Sequence, residues 1–286
     1  MNTTLVIHHS ADLDGLCSRE VARKALGTNA DYLGWDYGDP ILDTSKYSRV
    51  YLIDISFPPS EMLKLMDKLI WIDHHATAIK DNFAYYGGLR IDGVAACRLA
   101  YQWFFGDRKA VKEDYVARKV EEPHAVTLLG EHDIWDHHDE ETLPFQYAML
   151  AQKSPDWVTL LGEKRPEMFN PLIVKGAAIQ DYLEVTNAQL ANECGYDADF
   201  EDLKFRVINT PQKGSIQFDA SIKEHHDGCL RYYWNGKEWG CSLYGVAHKK
   251  DIDLSAIAKK YGGGGHKSAC GMVFKTLPTE LGGRSQ

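Results

Sequence analysis

Asp73, His74 and His75 follow directly on the apolar run Leu69-Ile70-Trp71-Ile72. A carboxylate and two imidazoles released at the end of a buried strand make a ready set of metal ligands. Two other apolar runs end in the same way. Leu5-Val6-Ile7 leads into His8-His9-Ser10-Ala11-Asp12-Leu13-Asp14-Gly15, and Val50-Tyr51-Leu52-Ile53 leads into Asp54. Three strands that each present Asp or His at one end point to a single site. A turn can gather His8, Asp12 and Asp14, whereas a strand would alternate their directions. The two oxygens of Asp54 can bridge two cations, with His74 joining Asp14 on the second. Asp133, in Gly130-Glu131-His132-Asp133-Ile134-Trp135, adds a further carboxylate. Mixed carboxylate and imidazole ligation suits Mn²⁺, Mg²⁺ or a similar divalent ion, with zinc left open. Two metals about 3.5–4 Å apart activate water and stabilise a leaving oxygen in phosphoryl transfer.

Taken singly, Asp12 and Asp54 read equally well as caps or turn formers. Their coincidence with His-x₃-Asp-x-Asp and Asp-His-His in one sheet is what favours chemistry. His9 reads as a packing or capping residue, and His132, His137 and His138 as a solvated loop.

The elements that must hold these residues are strands alternating with helices. Strands are expected over 4–8, 50–54 and 69–73, and helices over 15–26, 61–67, 93–105 and 112–131. Such alternation implies crossover connections and a parallel sheet flanked by helices. Ligands bind beyond the carboxyl ends of the strands in these sheets, where the Asp and His residues fall. A long helix from Leu172 to Cys194 then reads as a connector. Strands over 204–208, 215–222, 229–234 and 239–246 follow, then a helix from Leu254 to Tyr261, the run Gly262-Gly263-Gly264-Gly265-His266, and a closing strand over 268–275. The expected organisation is a parallel-sheet α/β domain (1–170), a connector helix (171–196) and a smaller α/β domain (197–286).

Composition bounds the rest. The 286 residues, 44% hydrophobic and 26% charged, are those of an ordinary globular protein of about two domains. No apolar run approaches the ~20 residues that span a bilayer, and with no basic segment followed by a long apolar core among the first residues a secretory signal is not expected. Six scattered cysteines without a CxxC pair fit free thiols in a cytoplasmic setting. Residues 201–286 carry 13 Lys and Arg against 9 Asp and Glu, so the net charge of −9 divides into −13 before residue 201 and +4 after it. An acidic first part suits cations and a mildly basic second part a small anion, although solvated surfaces explain both more simply. The strong basic stripe of a duplex-DNA tracker is absent.

At these residues the chain resembles the DHH phosphoesterase superfamily. His8-x₃-Asp12-x-Asp14-Gly15 resembles its first motif, Asp54 the second, Asp73-His74-His75 the third and Asp133 the fourth. Gly262 to Gly271 resembles the glycine-rich motif of the associated DHHA1 domain. The spacing is nearest the short two-domain branch of nanoRNases and pAp phosphatases, the nanoRNase B type within it. The resemblance implies one metal on His8, Asp12 and Asp54, and another on Asp14, Asp54, His74 and Asp133. It implies that His75 faces the substrate phosphate and that Asp73 orients the imidazoles. Two divalent cations are expected, Mn²⁺ first and Mg²⁺ or Co²⁺ as alternatives, with in-line attack by activated water.

Glycines that permit positive φ and close backbone approach let amides face a phosphate or sugar. Gly264, Gly265 and His266 are therefore candidate substrate contacts. Arg98 is a candidate phosphate contact, with a surface arginine the plain alternative. Many members of this branch carry an Arg-Ser pair before the glycine run, where this chain reads Ala247-His248; His248 is the candidate replacement.

The leading expectation is hydrolysis of short single-stranded RNA or linear dinucleotides such as pGpG and pApA to mononucleotides. A cleft between two domains would admit a short strand and exclude a duplex. pAp phosphatase and cyclic-dinucleotide phosphodiesterase activities are the alternatives, and a non-catalytic nucleotide sensor is the reading of a different class. No membrane partner is expected, and a homodimer stays open.

Overall fold

The computed structural model describes residues 3–81, 86–162, 169–212 and 214–282. It divides into one unit of residues 1–180 and another of residues 181–286.

In the first unit, β1 (Thr4–His9) leads through α1 (Leu13–Leu26) to β2 (Ala30–Trp35), then to β3 (Arg49–Ile53), α2 (Pro59–Lys64) and β4 (Leu69–Ile72). All four strands are parallel, in the order β2-β1-β3-β4. Helices α3 (Ala76–Asp81), α4 (Ala96–Phe105), α5 (Lys112–Val116), α6 (His124–Asp133), α7 (Thr142–Leu150) and α8 (Trp157–Gly162) follow. Strand alternation sorts the core onto two faces. Val6, Tyr51, Ile53 and Ile72 pack against α1, α4 and α6 through Cys17, Val21, Leu99 and Leu128. Leu5, Ile7, Val50, Leu52 and Trp71 pack on the opposite face with Trp35, Phe57 and Met62. A sheet covered on both faces explains why its central strands read as continuous apolar runs. The chain is thus α/β, with a parallel sheet and flanking helices.

Helix α9 (Asn170–Cys194) runs across the division between the units. The second unit contains β5 (Gly195–Phe200), β6 (Leu203–Asn209), β7 (Gly228–Trp234), β8 (Trp239–Tyr244), α10 (Leu254–Lys260), β9 (Gly264–His266) and β10 (Ala269–Phe274). Its sheet is mixed, in the order β5-β6-β7-β8-β10-β9, with only β6 and β7 parallel. No helix among the described residues is long and apolar enough to cross a membrane.

Several expected elements differ. The helix expected over 112–131 is two, because Arg118 takes φ +52° after α5 and Pro123 stands at the N-cap of α6. A proline lacks the N–H that an unbroken helix would need there. The strand expected over 215–222 is a single 3₁₀ turn at Ile216–Phe218, following Gly214 at φ +96°. Its Phe218 packs with Ala191, Ile208 and Cys229, so the apolar residues serve burial without pairing. The glycine run is in part a strand, since β9 pairs with β10.

Candidate metal centre

The site forms at the carboxyl ends of β1, β3 and β4. Strand β1 continues through His9, which keeps His8 inside the ladder opposite Gly34 and Ile53. His8 therefore stays on the α1 side of the sheet, 2% exposed, with its Nδ1 2.7 Å from the His9 carbonyl oxygen. Burial pushes its pKa down. His9, one residue on, turns to the opposite side and enters the acidic cluster. Its Nδ1 lies 2.9 Å from Asp12 Oδ2 and 3.5 Å from Asp54 Oδ2. This corrects two expectations: His8 is a packed strand residue, and His9 is the imidazole beside Asp12 and Asp54. The strand is one residue longer than its apolar run, and one residue changes the face.

Asp12 caps α1, accepting the N–H of Gly15 at 2.9 Å. A Cβ on Gly15 would lie 2.1 Å from the His9 carbonyl oxygen, so only glycine lets α1 begin this close to β1. Asp14, in the first turn of α1, is buried and accepts the N–H groups of Ala96 (2.8 Å) and Cys97 (2.7 Å). It ties the start of α1 to the start of α4.

Asp54 follows β3 with φ +62°, a conformation costly for a residue with a side chain. Its N–H still bonds the Ile72 carbonyl oxygen at 2.9 Å, while its carboxylate faces His9 on one side and His74 on the other. His74 Nε2 stands 3.4 Å from Asp54 Oδ1, 3.6 Å from Asp14 Oδ2 and 3.3 Å from Asp133 Oδ2. Asp133 is the last residue of α6 rather than a residue beyond it.

Asp73 is fully committed to protein donors. Its Oδ2 accepts the Trp71 indole N–H at 3.0 Å, and its Oδ1 accepts the backbone N–H groups of His74 (2.7 Å) and His75 (3.1 Å). His75 Nδ1 lies 2.7 Å from the same oxygen. A neutral His75 held this way carries its proton on Nδ1 and directs Nε2 away from Asp73.

Two of the ligand groups at this end of the sheet are His9-Asp12-Asp54 and Asp14-His74-Asp133, each with its donor atoms within 4.8 Å of one another. Asp54 joins them, since one oxygen approaches His9 and the other His74. Asp54 Oδ2 and Asp133 Oδ2 are buried without a well-formed hydrogen bond, and so is His9 Nδ1 despite its approach to Asp12. Ligands around an octahedral ion at 2.0–2.1 Å sit about 3 Å apart, close to the spacings here. Hard carboxylate oxygens with imidazole nitrogens are a donor set for divalent cations. The residues present fit two such ions.

Electrostatics agree. Burial raises Asp14, and the Asp54 and Asp133 carboxylates add to it. Burial likewise pushes Asp133 up to about 6. Burial opposes protonation of His9, but Asp12 and Asp54 overcome it and lift the ring to about 11. For His74, too, burial is outweighed, by Asp133, Asp54 and Asp14. Burial opposes ionisation of Asp54, but the His74 and His9 rings outweigh it and hold that carboxyl below the usual range, so protons are favoured on Asp14, Asp133 and the imidazoles and disfavoured on Asp54.

Other sequence candidates lie elsewhere. Arg98 is buried on α4, its Nε donating to Glu122 Oε1 at 2.6 Å and its guanidinium over the Tyr115 ring. It is not a surface arginine but a buried one whose charge is paired with Glu122. His248 is exposed, with Nε2 3.0 Å from the His226 carbonyl oxygen. Gly264, Gly265 and the half-buried His266 form β9 against β10. A Cβ on Gly265, at φ +133°, would meet the Ala269 carbonyl oxygen at 2.7 Å, so strand packing alone requires that glycine. His132 and His137, expected in a solvated loop, stack on each other at 5.4 Å and 8°. Burial pushes His132 down to about 4.

Asp197, His225 and His226 also gather in the second unit. There the Lys223 N–H donates to His226 Nδ1 at 2.9 Å, so a neutral ring carries its proton on Nε2. That nitrogen lies 3.1 Å from Asp197 Oδ1 and, so protonated, has no lone pair for a metal.

No family model matches the chain. An uncharacterized protein, R106, of Acanthamoeba polyphaga mimivirus is 22% identical over 82% of this chain, which spans 55% of that relative's length. The solved DHH domain of PF0399, titled a member of the s1p family of ribosomal proteins, superposes with a TM-score of 0.55 at 14% identity, covering 96% of this chain and 83% of that one. The chain has the fold of a DHH domain protein. A pGpG-specific phosphodiesterase, PggH of Vibrio cholerae, aligns over 96% of this chain and 94% of its own at a TM-score of 0.49 and 12% identity. On the DHH fold, the Asp73-His74-His75 triplet stands at the carboxyl end of β4, where the sheet presents its other acidic and imidazole groups.

Proposed function

We propose that this chain is a divalent-metal-dependent phosphodiesterase that hydrolyses short oligoribonucleotides and linear dinucleotides to mononucleotides. The observation that carries the reading is Asp54, a buried carboxylate shared between two ligand groups at the carboxyl end of a parallel sheet. Two cations held there, Mn²⁺ foremost, would polarise a phosphoryl oxygen and lower the pKa of water. His9, Asp12 and Asp54 would hold one, and Asp14, Asp54, His74 and Asp133 the other. Asp73 fixes the tautomer and orientation of His75, whose Nε2 is the group offered to a phosphate oxygen or the departing hydroxyl.

The motif resemblance to the nanoRNase branch supports the choice of substrate. pAp phosphatase and cyclic-dinucleotide hydrolysis use the same ligand set and remain the alternatives, with His248, Gly264, Gly265 and His266 as candidate contacts. A panel of pAp, pGpG, pApA, longer oligoribonucleotides, cyclic di-AMP and pyrophosphate, each with Mn²⁺ and Mg²⁺, tests the reading. Preferred release of mononucleotides from the linear dinucleotides supports it. Binding of dinucleotide without turnover would identify a sensor instead.

A further inference from the structure

We propose that Trp135, backed by His137 and His132, is the face on which a nucleobase stacks beside the scissile phosphate, an inference that rests on the phosphodiesterase reading. Helix α6 ends at Asp133, a residue of the candidate metal centre, and Ile134 closes it. Trp135 then takes φ +57°, with its N–H on the His132 carbonyl oxygen and the Asp136 N–H on that of Glu131. This is the left-handed position after a helix, which glycine ordinarily fills. A tryptophan there is strained, and burial does not compensate, because the residue is 51% exposed.

The indole is nonetheless supported from behind. Its ring centroid lies 4.4 Å from that of His137 and 5.5 Å from that of His132, and the two imidazoles are parallel to within 8°. The side chain thus presents a braced aromatic surface to solvent. Its Cα is at most about 7.6 Å from that of Asp133, two peptide units away. That backbone separation from a candidate metal ligand is one that a single nucleotide can span. Stacking accepts any base, since every base has a π face. Trp135 would therefore set affinity for nucleotides over plain phosphoesters without choosing a sequence.

The test uses the full chain with Trp135→Ala, Trp135→Phe and Trp135→Gly. With Mn²⁺ and pGpG, the Ala and Gly variants should raise KM about 10-fold while the Phe variant stays near wild type. The loss should fall on KM, with bound Mn²⁺ unchanged. Trp135→Gly should melt no lower than wild type, since glycine adopts this φ freely. An unaltered KM in the Ala and Gly variants overturns the proposal, as does a Gly variant whose melting temperature falls along with its affinity. Calorimetric titration with adenosine 5′-monophosphate and Mn²⁺ keeps the two readings separate. If wild type cleaves no dinucleotide, the function fails, yet about 10-fold weaker binding in Trp135→Ala still supports stacking. Equal affinities overturn it.

Discussion

His9 Nδ1 lies 2.9 Å from Asp12 Oδ2, whereas its neighbour His8 is held in the β1 ladder on the other side of the sheet. The two histidines therefore make opposite predictions. His9→Ala should weaken Mn²⁺ binding at least about 10-fold, the scale of losing a group that shapes a metal site. His8→Ala should retain metal stoichiometry and lose about 1–3 kcal/mol of stability as a buried side chain. Metal analysis and thermal melting of both variants decide between them. Metal loss in His8→Ala with retention in His9→Ala would reverse the assignment.

That pair also marks how far the sequence could be read. The apolar runs of β1, β3 and β4, their parallel pairing and the Asp or His at each end follow from pattern alone. The exchange of His8 for His9 does not, because strand length by one residue decides which face a side chain takes. The edge strands β2 and β5 carry Asp31, Tyr32, Asp197 and Asp199, so their polarity hides them. Trp135 was legible only as a tryptophan after a helix; its positive φ and its support by two imidazoles needed coordinates. The glycines of β9 are a reminder that one residue type serves two ends: flexibility near a ligand, or close approach of strands.

His75→Ala should lower kcat about 10²-fold while leaving bound metal intact, because its Nδ1 is engaged by Asp73 and the ring is proposed to act on the phosphate rather than on a cation. Steady-state kinetics together with metal analysis check this. Loss of metal in this variant would make His75 a ligand.

Gly15→Ala should destabilise the protein by about 1–3 kcal/mol, the usual range for overpacking. Its Cβ would stand 2.1 Å from the His9 carbonyl oxygen, so α1 or the end of β1 must shift. Urea denaturation measures the stability, and Mn²⁺ titration should show weaker binding as Asp12 and Asp14 move. Wild-type values for both would contradict the close approach.

The pH dependence follows from the protonated imidazoles. His9 is raised from an ordinary 6.5 to about 11 in the metal-free protein, so its proton stabilises that fold fully below 6.5 and this contribution is lost as pH climbs toward 11. A cation must displace such protons, as metal ligation generally does. Apparent Mn²⁺ affinity should therefore rise with pH between 6 and 8, a range chosen about neutrality. Calorimetry in buffers of different ionisation enthalpy should record net proton release. PH-independent binding would exclude imidazole ligation.

The most direct test of the account concerns Asp54, the carboxylate between the two ligand groups. Wild type and Asp54→Asn are incubated in parallel with pGpG and Mn²⁺, and products and bound metal are measured together. The account predicts mononucleotide release by wild type, no detectable turnover by Asp54→Asn, and fewer bound ions in the variant. Near-normal turnover by Asp54→Asn, or intact dinucleotide in metal-loaded wild type, would contradict it.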